Sequence, residues 1–247
     1  MRNKRGMPLI YAGLLLISAA LFLTAYNMFD AYWAQRASSK ALHVLELKIP
    51  ERDSGGQLIQ PAATMTAEGF VPFSTQPPIL EIPESYEAPV SSFPEFERAI
   101  DYLRVEIPDY VLNPKMEMPV IREDGQDYIG ILEIPALELE LPVISEWDYT
   151  RLRKAPCRYV GSAYTKDLVI SAHNYNRHFG RIKTLQEGDR VFFTDVDGNR
   201  FAYEVLLRET LNPRPVEAMT EGEWDLTLFT CTVGGSYRVT VRCGLIA

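Results

Sequence analysis

The chain has 247 residues, 47% of them hydrophobic and 23% charged, so it has the composition of a globular protein of one or two domains and not of a disordered chain. A net charge of -8 leaves no basic surplus to neutralise phosphates, and nucleic-acid binding is set aside. Three cysteines and three scattered histidines, with no CxxC or HExxH spacing, exclude a disulfide-stapled miniprotein and give no signature of a metal or other cofactor.

The first element is an apolar run. Arg2, Lys4 and Arg5 are followed by 24 uncharged residues, Gly6 to Phe29, before Asp30. About 20 apolar residues in a helix span a bilayer core, so residues 1–30 read as a cytoplasmic tip and transmembrane signal anchor. The alternative is a signal peptide cut near Ala31 or Ala34, but the run is long for its apolar region. The positive-inside rule places the N-terminus in the cytoplasm and everything after residue 30 outside the cell. Tyr26, Phe29, Tyr32 and Trp33 suit the outer interface as an aromatic belt. A helical stretch over 31–50 reads as a stalk.

Residues 41–126 hold 11 of the 17 prolines and 15 acidic against 6 basic residues. Proline denies regular hydrogen-bond ladders, so 51–120 reads as an acidic extracellular spacer. Within it Phe96 to Val105 has the pattern of a short amphipathic helix, and 93–126 has the aromatic and acidic residues of a lid. From about 121 the texture changes to short β-branched and aromatic runs: DYIGILEI, LVISAH, RVFFTDVDGNRFAYEVLLRETL, DLTLFTCTV and YRVTVRCGLI. These are strand signals, with Asp197-Gly198 marking a hairpin and short helices expected near 147–154 and 181–186. The domain 121–247 therefore reads as mostly β, a small barrel or sandwich, expected to fold without 31–120.

Reactive groups sit at strand ends. Cys231 closes LTLFTC before a Gly-Gly turn, His173 ends LVISAH, and Arg238 opens YRVTVRC. If those ends meet, a thiolate, an imidazole and a guanidinium are together, a set suited to acyl transfer. A free thiol titrates near 8.5 and needs an activating environment to supply much thiolate at neutral pH. Cys157 and Cys243 are expected to pack, with a disulfide between them as the alternative outside the cell. Arg242 shares the strand face of Arg238 and is its rival, but it lies deeper in the strand. His178 reads as a turn or groove residue and His43 as a solvated stalk residue.

The run Thr227-Leu228-Phe229-Thr230-Cys231 resembles the TLxTC signature of sortases, the membrane-anchored cysteine transpeptidases of Gram-positive bacteria. Ala172-His173-Asn174 through His178-Phe179, then Lys183-Thr184-Leu185 and Gly188-Asp189, resemble that family's histidine segment, and Arg238 stands where the family has its arginine. The resemblance covers roughly 127–247. It implies a closed eight-stranded sortase-type β-barrel with short helices behind one transmembrane helix. It implies Cys231 as nucleophile on an LPxTG-like sorting signal, His173 as general acid/base, Arg238 as the group that orients the peptide and stabilises the oxyanion, and Thr230 as a shaper of the oxyanion site. The implied partners are a sorting-signal peptide of a secreted surface protein, an amine acceptor of a peptidoglycan precursor or pilin, and membrane lipid around residues 6–29. TLFTCT, APCRY and SAHN resemble class B-like clostridial members, while the short link Asn212 to Asp225 lacks room for the long helix of iron-related class B enzymes, so the subclass stays open. Two other readings remain: a hydrolytic cysteine protease of the same fold, and a non-catalytic anchored β-domain that binds peptide or wall polymer.

Overall fold

A computed structural model of the chain describes residues 7–51, 107–212 and 217–246. The expected helix at 96–105, most of the expected spacer and the first part of the expected lid, residues 93–106, lie outside the described residues. The N-terminal helix and the β domain belong to one compact unit, formed by Met1–Glu51 and Pro108–Ala247.

Nine strands are present among the described residues: β1 (Ile121–Glu123), β2 (Gln126–Ile134), β3 (Leu139–Ile144), β4 (Cys157–Val160), β5 (Leu168–Ser171), β6 (Arg190–Asp195), β7 (Arg200–Leu211), β8 (Leu226–Cys231) and β9 (Arg238–Leu245). Their order in the sheet is β1-β2-β3-β4-β5-β8-β9-β7-β6, and β6 pairs back onto β2. Eight strands therefore close into a barrel, which removes the open edges of a sheet, and β1 is a three-residue addition to β2. The pairs β3–β4 and β5–β8 are parallel and the others antiparallel, so the barrel is mixed.

Alternation is clean where one face meets solvent. Along β7, Phe201, Tyr203 and Val205 point into the barrel core while their neighbours do not. The hairpin expected at Asp197-Gly198 joins β6 to β7 with Phe193 opposite Phe201. It is held by Asp195, whose buried carboxylate accepts hydrogen bonds from the backbone of Asp197 and Asn199, from the Asn199 amide and from the Tyr164 hydroxyl. Gly198 has φ +81°, and a Cβ there would lie 2.2 Å from the Pro50 carbonyl oxygen, so a side chain is excluded twice over.

That Pro50 contact introduces the main departure from a barrel standing on a free stalk. Helix α1 (Met7–Lys48) runs unbroken through the boundary expected at residue 30. Its first part exposes Leu9, Leu15, Leu16, Phe22 and Leu23, and it is long and apolar enough to cross a membrane. Its second part packs on the outside of the barrel. Ala41 and Leu45 form a second core with Tyr128, Ile131, Ile144, Leu152, Ala155 and Cys157. Both faces of β2 are therefore covered, which is why DYIGILEI reads as a continuous apolar run. Lys40 reaches Asp124 at 2.6 Å in the tight β1–β2 turn, and Lys48 reaches Glu123 at 3.1 Å.

The near part of the expected spacer is packed as well. Tyr110 stacks on Tyr164 with ring centroids 4.7 Å apart, and Met118 is buried in the barrel core. Removing 31–120 would uncover both surfaces. The helical turns Tyr149–Leu152 and Phe179–Thr184 fall close to the expected positions.

Leu45 is 0% exposed, so Leu45→Ala should lower the stability of the barrel by about 2–5 kcal/mol, the usual cost of a truncated core leucine. Lys40→Ala, which breaks a solvent-exposed ion pair, should cost far less than Leu45→Ala. Chemical unfolding of the detergent-solubilised chain checks both. Equal and small losses would mean that α1 does not share a core with the barrel.

Candidate active site

The site is built by strand register. In the parallel pair β5–β8, Leu168 lies opposite Leu226 and Ser171 opposite Phe229. The Ala172 N–H continues the ladder to the Phe229 carbonyl at 3.2 Å, and the Thr230 hydroxyl donates to the Ala172 carbonyl at 2.7 Å. His173 therefore leaves β5 beside the end of β8, where Cys231 stands. In the antiparallel pair β8–β9, Cys231 lies directly opposite Arg238. The three residues singled out in the sequence come from three adjoining strands at one rim of the barrel.

The β8–β9 turn fixes this arrangement. The Thr232 N–H donates to the Tyr237 carbonyl at 2.9 Å, the Thr232 hydroxyl accepts from the Tyr237 N–H at 3.1 Å, and Gly234 and Gly235 take φ of +86° and +75°. Arg238 donates through Nη1 to the carbonyls of Gly235 and Tyr237, at 3.0 and 3.2 Å, which holds its guanidinium near the turn. Among the described residues nothing binds its Nε or Nη2. Arg242 is in a different position. It is 2% exposed and donates to Glu209, to the Thr227 hydroxyl and to the carbonyls of Ala218 and Met219, in the short helix Glu217–Thr220. Its donors are consumed by the fold.

His173 is half-buried, and its Nε2 has no hydrogen-bond partner among the described residues. Its ring lies against Tyr175, centroids 5.0 Å apart. Burial pushes its pKa below the ordinary histidine value; Asp30 opposes that shift and Arg153 adds to it. A neutral imidazole with a free ring nitrogen can accept a proton.

The other candidates sort by burial. Cys157 lies in the outer core beside Ile144 and Cys243 in the barrel interior, and both are free thiols, so the alternative of a disulfide between them is not the state of this structure. Burial pushes each up to about 12. Cys231 is partly exposed and free. Thr230 is buried and its hydroxyl is engaged by Ala172, so what it shapes is the approach of β5 to β8. His178 is buried, and neither ring nitrogen has a partner among the described residues. His43 is exposed on α1, 3.8 Å from Glu46.

Sequence reasoning missed Asp30, Arg153 and Tyr175. Asp30, the first charge after the apolar run, was read only as a membrane boundary. In the structure its carboxylate accepts hydrogen bonds from the Tyr175 hydroxyl and from Arg153, beside His173. No local pattern links residues 123 and 145 positions apart.

The chain is similar to known proteins in sequence and in fold. The family model described as Sortase domain matches residues 132–246. Sortase A of Bacillus anthracis is 26% identical over 150 residues, covering 53% of this chain and 68% of that protein. Among solved structures, sortase A from Corynebacterium diphtheriae is 25% identical with a TM-score of 0.43, covering 61% of this chain and 69% of that one. Sortase C of Streptococcus pneumoniae is 21% identical with a TM-score of 0.45, covering 62% and 97%. Relatives of different letters are matched, and no subclass follows.

His178 gives a pH prediction. Burial holds its pKa at about 4, below the 6.5 of an exposed histidine, and the nearby His173 adds to this. The folded state then takes up a proton less readily than the unfolded chain. Its contribution is fully present above pH 6.5 and is lost as pH falls toward 4, by about 3 kcal/mol at about 1.4 kcal/mol per pH unit. Urea unfolding at pH 7 and 4.5 should show a smaller difference for His178→Gln than for the parent. Equal differences would contradict this account of His178.

Proposed function

Because the chain belongs to the sortase family, we propose that it is a membrane-anchored cell-wall sorting transpeptidase working through Cys231, His173 and Arg238. The observation that carries this reading is the register that sets Cys231 opposite Arg238 and leaves His173 beside the same strand end.

The Cys231 thiolate attacks the threonyl carbonyl of an LPxTG-like sorting signal. The tetrahedral oxyanion lies within reach of a cation, and Arg238 supplies it through the guanidinium nitrogens that the turn does not use. The C–N bond then breaks, the His173 imidazolium protonates the departing amine, and a thioester to Cys231 remains. In the second half an amine of a peptidoglycan precursor or pilin gives its proton to neutral His173, attacks the thioester and releases the Cys231 thiolate. Thr230 serves this sequence by tying Ala172, and so the His173 backbone, to β8.

Residues 6–29 anchor the enzyme, with Arg2, Lys4 and Arg5 on the cytoplasmic side and the barrel outside. The exposed apolar surface of the first part of α1 supports this placement.

The test is trapping on the full chain in detergent with a set of LPxTG-like peptides, read by intact mass and peptide mapping. The expected product is an adduct on Cys231 ending at the peptide threonine and absent from Cys231→Ala. Loss of an acid–base or an oxyanion group costs on the order of 10²-fold or more, so His173→Ala and Arg238→Ala should form the adduct at least that much more slowly. Adding an amine acceptor should discharge it faster than water. Discharge by water alone would favour a protease of the same fold. No adduct, together with a Cys231 no more reactive to alkylation than Cys157 and Cys243, would favour a binding domain.

A further inference from the structure

The catalytic histidine is tied to the membrane helix. Asp30 is the first residue after the apolar run of α1, and its carboxylate accepts hydrogen bonds from the Tyr175 hydroxyl and from Arg153. The Tyr175 ring lies against His173 at 5.0 Å and against His178 at 5.7 Å. A chain of direct contacts thus runs from the end of the membrane segment to the imidazole.

We propose that Asp30 is a positioning residue for His173: held by Arg153 and Tyr175, it fixes the loop after β5 and places a negative charge beside the imidazole. This rests on the reading of His173 as the general acid/base. It makes α1 part of the active site's support, in addition to being an anchor and an outer core.

Electrostatics agree with the geometry. Burial works against the Asp30 charge, but the bonds from Tyr175 and Arg153 outweigh it and hold the carboxyl below its ordinary range, so Asp30 is an anion at neutral pH. That anion favours the imidazolium form of His173, against burial and against Arg153. The charges that act on the imidazole are Asp30 from α1 and Arg153 after the turn Tyr149–Leu152, with Tyr175 and the buried His178 from its own loop close by, while Cys231 and Arg238 stand at the neighbouring ends of β8 and β9. Asp30 is the carboxylate that acts on it. In a water-poor site a carboxylate near an imidazole moves its titration and steadies its orientation.

The experiment uses the full chain in detergent or nanodiscs, with His173 titrated by NMR on histidine-labelled protein and peptide transfer followed against pH. In Asp30→Asn, His173 should titrate at lower pH, and the alkaline limb of transfer should move the same way. The expected loss in kcat is about tenfold, a modest part of the roughly 10²–10⁴-fold that acid–base catalysis contributes, with KM little changed. Asp30→Glu, which keeps the charge, should restore the profile. Arg153→Met should move the titration up, opposite in sign to Asp30→Asn, as a fold defect would not. Lys40→Ala breaks a different contact between α1 and the barrel and should leave both readouts unchanged. An unchanged His173 titration in Asp30→Asn, the same shift in Lys40→Ala, or a downward shift in Arg153→Met would overturn the proposal. If the parent transfers no peptide, the transpeptidase reading fails while the titration still decides the role of Asp30.

Discussion

The parallel pairing of β5 with β8 is the constraint on which the site depends. Parallel neighbours end at the same rim, so a residue just past β5 and the last residue of β8 come together without help from a loop. A slip of one residue would turn every side chain of β8 to the other face and bury Cys231. Two features resist that slip. The Thr230 hydroxyl fastens the last step to Ala172, and the antiparallel partner β9 repeats the register on the other side, with Thr230 opposite Val239 and Cys231 opposite Arg238. Between β5 and β8 the chain makes the β6–β7 hairpin, and β6 returns to β2 to close the barrel. Closure leaves the site at a rigid rim.

Helix α1 adds a second layer that a bare barrel lacks. Its C-terminal half supplies Ala41 and Leu45 to a core outside the sheet, and the chain leaving it meets the β6–β7 turn at Gly198. The same helix carries the apolar surface that suits a bilayer. Asp30 sits where these two roles meet, between the apolar run and the packed half, and its partners are neighbours of His173. Short ties of this kind set the distance between the rim that carries His173 and the end of the apolar run.

Much of the site was legible because chemistry at strand ends follows period-two patterning. Cys231, His173 and Arg238 were each recognisable as termini of apolar runs, and Arg242, the rival of Arg238, is committed to Glu209, Thr227 and a helix end. The Asp197-Gly198 turn was legible because local backbone chemistry decides it. The hidden parts are long-range. Nothing in the sequence near Leu45 says that it faces Ile131 and Ile144, and nothing near Asp30 points to Tyr175. The segment around Tyr110 and Met118 read as spacer because its prolines mark loss of regular structure, which is compatible with packing on a barrel. Cys157 and Cys243 read as packing residues and are buried in separate cores.

In the proposed mechanism Cys231 and His173 act on one another. The most direct test is the rate of Cys231 alkylation against pH in the full chain, compared between the parent and His173→Gln, with Cys157 and Cys243 as buried internal controls. The parent profile should carry an inflection from His173 that disappears in the variant, with slower labelling at neutral pH, while the two buried thiols react only on unfolding. Superimposable profiles for Cys231 in the two proteins would contradict it.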